Sequence, residues 1–140
     1  MKKKVLIEVE GIQKDEHGEE VRISNSYEGV YSVIDNKCYL VYDEASGQDE
    51  QITHNLVHIG ISEVSVTKKG NINTKMEFVS GKKRSFSYGT AYGKLPMELF
   101  TKNLMITTDD KRIHIIIDYR LELGGDLISN NRLTIKATTV

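Results

Sequence analysis

The chain has 140 residues, with 19 Lys and Arg against 20 Asp and Glu, a net charge of −1, one cysteine and no tryptophan. That length suits one domain and lets roughly 70% of the surface of the unfolded chain be buried, so no disulfide or metal is needed to hold it folded. The charge balance excludes general nucleic-acid binding, which wants a basic excess, and a single cysteine excludes a disulfide within the chain.

Turn signals arrive about every ten residues, the rhythm of an all-β domain. The connections fall at 14–20 (KDEHGEE), 35–37 (DNK), 43–51 (DEASGQDEQ), 68–73 (KKGNIN), 80–83 (SGKK), 108–111 (TDDK) and 123–126 (LGGD). Gly, Asn and Asp supply the positive φ angles or the local hydrogen bonds that tight turns need.

The first strand is expected over Lys4–Gln13, with Val5, Ile7 and Val9 on one side and Glu8 and Glu10 on the other. Those two glutamates interrupt the apolar run behind Lys2–Lys4, so this start is neither a secretion signal nor a membrane span. Val21–Ile34 follows, with Val21, Ile23, Tyr27, Tyr31 and Val33 sharing one parity and Gly29 marking a bend or bulge. Lys37–Tyr42 returns across the DNK turn and carries Cys38, read as a plain strand thiol. A lone thiol and the lack of a signal peptide point to a reducing cytoplasm.

Asn55–Thr67 is the next expected strand. Its apolar parity changes from Val57, Ile59 and Ile61 to Val64 and Val66, which places a β-bulge near Ser62–Glu63. Asn73–Val79 and Lys83–Tyr92 come next, with Met76 and Phe78 on one face of the first and Phe86 and Tyr88 on one face of the second. The segment SYGTAYGKLPMELFTKN packs Tyr88, Gly89, Tyr92, Gly93 and Pro96 closely. It is expected to be a corner where the chain crosses the barrel, with at most one short helical turn after the proline. Met97–Thr107 continues as strand.

Arg112–Leu123 has the clearest pattern in the chain. Ile113, Ile115, Ile117, Tyr119, Leu121 and Leu123 line one face, while Arg112, His114, Ile116, Asp118, Arg120 and Glu122 line the other. Exposing the first set would forgo roughly 1.5–3 kcal/mol per residue, so it must be inside. The last strand is Leu127–Thr138, with Leu127, Leu133 and Ile135 on one side.

Nine or ten consecutive antiparallel strands with one apolar face curl and close. The expected fold is a single all-β domain over 1–140, an up-and-down, calycin-like or lipocalin-like barrel of about 8–10 strands with little helix. A barrel of about eight strands has an interior just wide enough to be filled by side chains or to hold one small ligand.

No Walker loop, GxGxxG, GxSxG or HExxH motif is present. His54 and His58, four apart, would reach one metal on a helix, but they lie in a strand pattern, so no metal site is expected. His17 lies in a turn with Asp15 and Glu16, and the acid pairs Asp109–Asp110 and Asp49–Glu50 sit at loop tips, without the split environments that acid–base catalysis needs. Neither catalytic residues nor a cofactor are expected.

Four segments carry a family resemblance: VLIEVEGIQ near the start, SYEGVY, YGTAYGKLPMELFTKNL, and IIIDYRLELGGDLISNNRLTI near the end. Together they resemble the YwiB-like bacterial proteins, a group of unknown function with a calycin-like β-barrel. The likeness covers nearly the whole chain. That group often has a proline before its aromatic–glycine pair, where this chain has Ala91. The resemblance implies a cytoplasmic barrel and transfers no catalytic residue. The lipocalin GxW motif is absent.

Two functions follow. The first is a module that binds a small apolar ligand inside the barrel, lined by Tyr27, Phe86, Tyr88 and Tyr119. The second is an interaction or regulatory module with a filled barrel, working through Tyr92 and Leu95 or pairing as a homodimer. Neither reading involves nucleic acid or a membrane. A buried tyrosine that merely fills space is expected to give its hydroxyl to the backbone.

Overall fold

The computed structural model describes residues 1–46 and 51–140. The described residues contain ten strands and no helix: β1 (Lys2–Asp15), β2 (Glu20–Ile34), β3 (Lys37–Ser46), β4 (Gln51–Ile59), β5 (Glu63–Gly70), β6 (Thr74–Val79), β7 (Lys83–Thr90), β8 (Gly93–Thr108), β9 (Arg112–Leu123) and β10 (Asp126–Thr139). All belong to one antiparallel sheet in the order β6-β5-β4-β3-β2-β1-β10-β9-β8-β7. The two end strands are consecutive in sequence. Asn73 and Gly89 exchange backbone hydrogen bonds of 2.9 and 2.8 Å between them, so the sheet curls into a nearly closed barrel. No helix among the described residues is long and apolar enough to cross a membrane.

The expected alternation builds this barrel. Cross-strand pairing puts Val5, Ile7 and Val9 on the same face as Ala137, Ile135 and Thr139, and Ile113, Ile115 and Ile117 on the same face as Thr108, Ile106 and Leu104. Ile7, Leu40, Val57, Phe78, Leu99, Ile115 and Ile117 are all wholly buried. The isoleucine face of β9 therefore packs against other side chains. The Asp35–Asn36 turn has both residues at positive φ, 52° and 64°, the geometry of a two-residue hairpin that follows the strand twist.

Several expectations are corrected. The segment 55–67 is not one bulged strand. It is two strands, joined where Gly60 N–H donates to the Glu63 carbonyl at 2.8 Å, and the parity change reflects the turn. Asp43–Ser46 is strand instead of loop, as are Lys68–Gly70; residues 47–50 of the expected connection, with Asp49–Glu50, lie outside the described residues. The Tyr88–Pro96 segment is a tight hairpin instead of a corner, with Thr90 paired to Gly93, while the stretch after Pro96 is strand, as expected for Met97–Thr107. Pro96 is tolerated because β9 begins to pair with β8 only at Glu98, which leaves the proline on an edge.

The register shifts that do occur lie at Lys102 and Ile128. The second moves Leu127 to the outer face, opposite Glu122, away from Leu133 and Ile135. Glu122 points outward as expected yet is buried, beneath Lys83 Nζ at 3.3 Å and Arg120, whose guanidinium lies 5.6 Å over the Phe100 ring.

Gly29 marks no bulge, since β2 keeps register with β1 through it and with β3 up to it. A Cβ there would sit 2.4 Å from Ile7 Cδ1 and 2.7 Å from the Val41 carbonyl oxygen. The isoleucine tip can swing away, but the carbonyl is held in the ladder. Gly29→Ala is therefore expected to lower stability by about 1–3 kcal/mol, seen as a lower urea midpoint with unchanged slope.

Candidate functional site at the barrel mouth

The ladder between β2 and β3 ends at the pair Gly29–Tyr42. Beyond it the amino-terminal half of β2 diverges from the carboxy-terminal half of β3, and the barrel opens. The inner face of the sheet continues there through Glu44 on β3, Thr53 and Asn55 on β4, Lys68 on β5 and Thr74 on β6. Register places Tyr42, Asn55, Lys68 and Thr74 in one row across four strands, and Glu44 beside Thr53 in the next. Apolar alternation that fills the middle of the barrel thus gives way to polar residues of the same parity at its end.

These groups form one hydrogen-bonded cluster. Lys68 Nζ donates to Glu44 Oε1 and to Asn55 Oδ1, both at 2.7 Å. Asn55 Nδ2 donates to Glu44 Oε1 at 3.1 Å and to the Thr53 carbonyl at 3.3 Å. Tyr27 O–H donates to Glu44 Oε2 at 3.4 Å, and its ring stacks on Tyr42 with centroids 4.8 Å apart. Asn55 is buried, whereas Lys68 and Glu44 keep 25% and 24% of their side chains exposed. The cluster is therefore reachable from solvent.

Burial by itself would raise the Glu44 carboxyl. The hydrogen bond and charge of Lys68, with the Asn55 and Tyr27 bonds, outweigh that and hold it below the ordinary carboxylate value. Desolvation, then the Glu44 charge, pushes the Tyr42 hydroxyl upward. Desolvation likewise raises Tyr27. At neutral pH the site is one lysinium–carboxylate pair flanked by neutral phenols.

Two hydroxyls beside this pair have no hydrogen-bond partner among the described residues: Thr53 Oγ1 and Thr74 Oγ1. Both residues are buried, at 1% and 8% exposure. Buried polar atoms almost always have partners, and an orphan points to a water or ligand. The remaining orphans, on Thr101, Arg120 and Glu122, lie on β8 and β9.

Of the residues expected to line a ligand, only Tyr27 joins the cluster. Tyr88 is half-buried next to the Asn73–Gly89 bridge, opposite Leu95. Phe86 packs against the core. Tyr119 lies edge-on to Phe78, with centroids 5.0 Å apart, and its desolvated hydroxyl is pushed up to about 12. Tyr92 is fully exposed in the β7–β8 turn and Leu95 is exposed at the rim. The hydroxyls of Tyr27 and Tyr31 meet side chains and not the backbone: Tyr27 meets Glu44, and Tyr31 meets Cys38 Sγ at 3.3 Å. Both histidines of the spaced pair face outward, His54 to Asp43 at 2.6 Å and His58 against the Tyr39 ring.

Glu44, Asn55 and Lys68 were missed because Glu44 and Lys68 fall in stretches assigned to connections. Their signal is parity: Leu40, Tyr42 and Glu44 alternate, as do Val64, Val66 and Lys68. Asn55 alternates likewise with Val57 and Ile59, at the very edge of its expected strand.

The fold and this site define a small antiparallel barrel with an apolar, side-chain-packed middle and a polar mouth. The chain belongs to the domain-of-unknown-function family DUF1934, which matches residues 7–135. Among solved structures it is similar to the YwiB protein from Bacillus subtilis, with a TM-score of 0.88 and 24% identity, over 99% of this chain and 93% of that one. At that identity the likeness establishes the fold. No curated protein matches the chain.

Proposed function

We propose that this protein is a small-molecule binding module whose ligand is held at the barrel mouth, by the cluster around Lys68 and Glu44, and not in the middle of the barrel. The wholly buried residues Leu40, Val57, Phe78 and Leu99 occupy the middle, so the expectation of an apolar ligand deep inside gives way to one engaged at the open end. The observation that carries this reading is the pair of orphaned hydroxyls, Thr53 Oγ1 and Thr74 Oγ1, beside a solvent-reachable ion pair. A ligand group reaching either hydroxyl would satisfy an atom whose desolvation otherwise costs about 1–3 kcal/mol.

The test uses the double variant Thr53→Val with Thr74→Val. Replacing an unpartnered buried hydroxyl by a methyl of the same shape removes a penalty, so the ligand-free variant is expected to melt no lower than wild type. Native mass spectrometry of protein purified from its own host is expected to show a bound small molecule on the wild type and none on the variant. Bare polypeptide on both, with no thermal shift across a metabolite panel, would end the proposal.

A further inference from the structure

We infer that the ligand is an uncharged, polyhydroxylated ring, a sugar or the ribose of a nucleoside, an inference that rests on the mouth-site reading above. The charge of the cluster argues first. Lys68 and Glu44 form a neutral unit with their charged atoms 2.7 Å apart. An anion drawn to Lys68 meets the Glu44 carboxylate, and a cation drawn to Glu44 meets the ammonium. A neutral molecule bearing both donors and acceptors meets neither penalty.

The hydrogen-bonding inventory argues second. Lys68 spends two N–H groups on Glu44 and Asn55 and leaves its third without a partner among the described residues. Among the described residues Glu44 Oε2 receives only the long Tyr27 bond of 3.4 Å. The hydroxyls of Thr53 and Thr74 are each able to donate and accept and are unpartnered. One free donor, one underused acceptor and two amphoteric hydroxyls suit adjacent ligand hydroxyls, each of which also donates and accepts. The stacked Tyr27–Tyr42 pair supplies the aromatic wall that orients a ring.

The experiment is a thermal-shift and isothermal-titration series on the whole chain with D-glucose, D-ribose, adenosine and uridine, and with citrate, inorganic phosphate and spermidine as charged probes. The compound released from host-purified protein is identified by mass in parallel. Saturable binding of a neutral probe is expected, weakened about tenfold or more by Lys68→Met and by Glu44→Gln and unchanged by Tyr92→Ala. A released compound that is a neutral polyol or nucleoside supports the inference even if none of the four probes binds. Binding confined to the charged probes, or a released ion or acyl lipid, overturns the ligand class and leaves the mouth site standing. No binding by any probe together with bare polypeptide from the host overturns both.

Discussion

Phe78→Ala is expected to cost about 3–5 kcal/mol, a large share of the roughly 5–15 kcal/mol that holds a domain of this size together. Phe78 is wholly buried on β6. Its ring lies against Tyr119 of β9, 5.0 Å away and edge-on at 61°, although β7 and β8 separate β6 from β9 around the barrel. The contact therefore spans the inside of the barrel. Removing the ring takes away its transfer free energy and leaves a cavity that strands locked in a ladder cannot close. Urea unfolding followed by circular dichroism would measure the loss, as a lower midpoint. A loss under 1 kcal/mol would mean that this part of the barrel is not packed, and the case for a ligand confined to the mouth would fail with it.

Lys68→Met is the second large effect, and it acts through charge. The substitution strands the Glu44 carboxylate and the Asn55 carbonyl oxygen, each of which loses a donor at 2.7 Å. Fully buried pairs lose about 3–5 kcal/mol when one partner goes. Both side chains here are a quarter exposed, so solvent screening reduces this to about 1–2 kcal/mol. Adding Glu44→Gln is expected to recover much of the loss, because no unpaired charge then remains. A double variant as unstable as the sum of the singles would show that the two residues do not interact.

The same pair sets a pH dependence. The folded-state value of Glu44 lies below its ordinary 4.5. Its contribution to stability is therefore complete above that value and is lost as pH falls through the lower folded value. In Lys68→Met the largest lowering influence is gone while burial still raises the carboxyl, so the acid loss of stability that Glu44 contributes shrinks, and it reverses to a gain on acidification once the folded value exceeds the unfolded one. Acid titrations of the melting temperature for the wild type and the variant would show the smaller or inverted acid slope. Coincident curves would contradict it.

The cluster shows where alternation stops being informative. Glu44 and Lys68 obey the same two-residue period as Leu40, Tyr42, Val64 and Val66, but a charged residue beside Gly, Asn or Asp resembles a turn in composition. Only pairing with the neighbouring strands shows that the ladders run on through Ser46 and Gly70. Val21 and Ile23 show the converse. Their parity matches that of Tyr27 and Tyr31, yet they are 56% and 60% exposed, because β3 has already left β2 and no described residue covers that end of the sheet. The parity change at 59–64 is expected to be a bulge, but a turn gives the same pattern of side chains, and tertiary pairing decides for the turn.

The all-β class, most of the hairpin turns and the buried face of Arg112–Leu123 were determined by the sequence alone, because backbone pleating turns local apolar alternation directly into sidedness. The inside of the barrel and the chemistry of its mouth were decided only by tertiary structure. Lys68 and Glu44 are 24 residues apart along the chain, and Tyr27 and Glu44 are 17 apart. Pairing β3 with β4 and β4 with β5, while letting β2 diverge, is what places them within hydrogen-bonding distance.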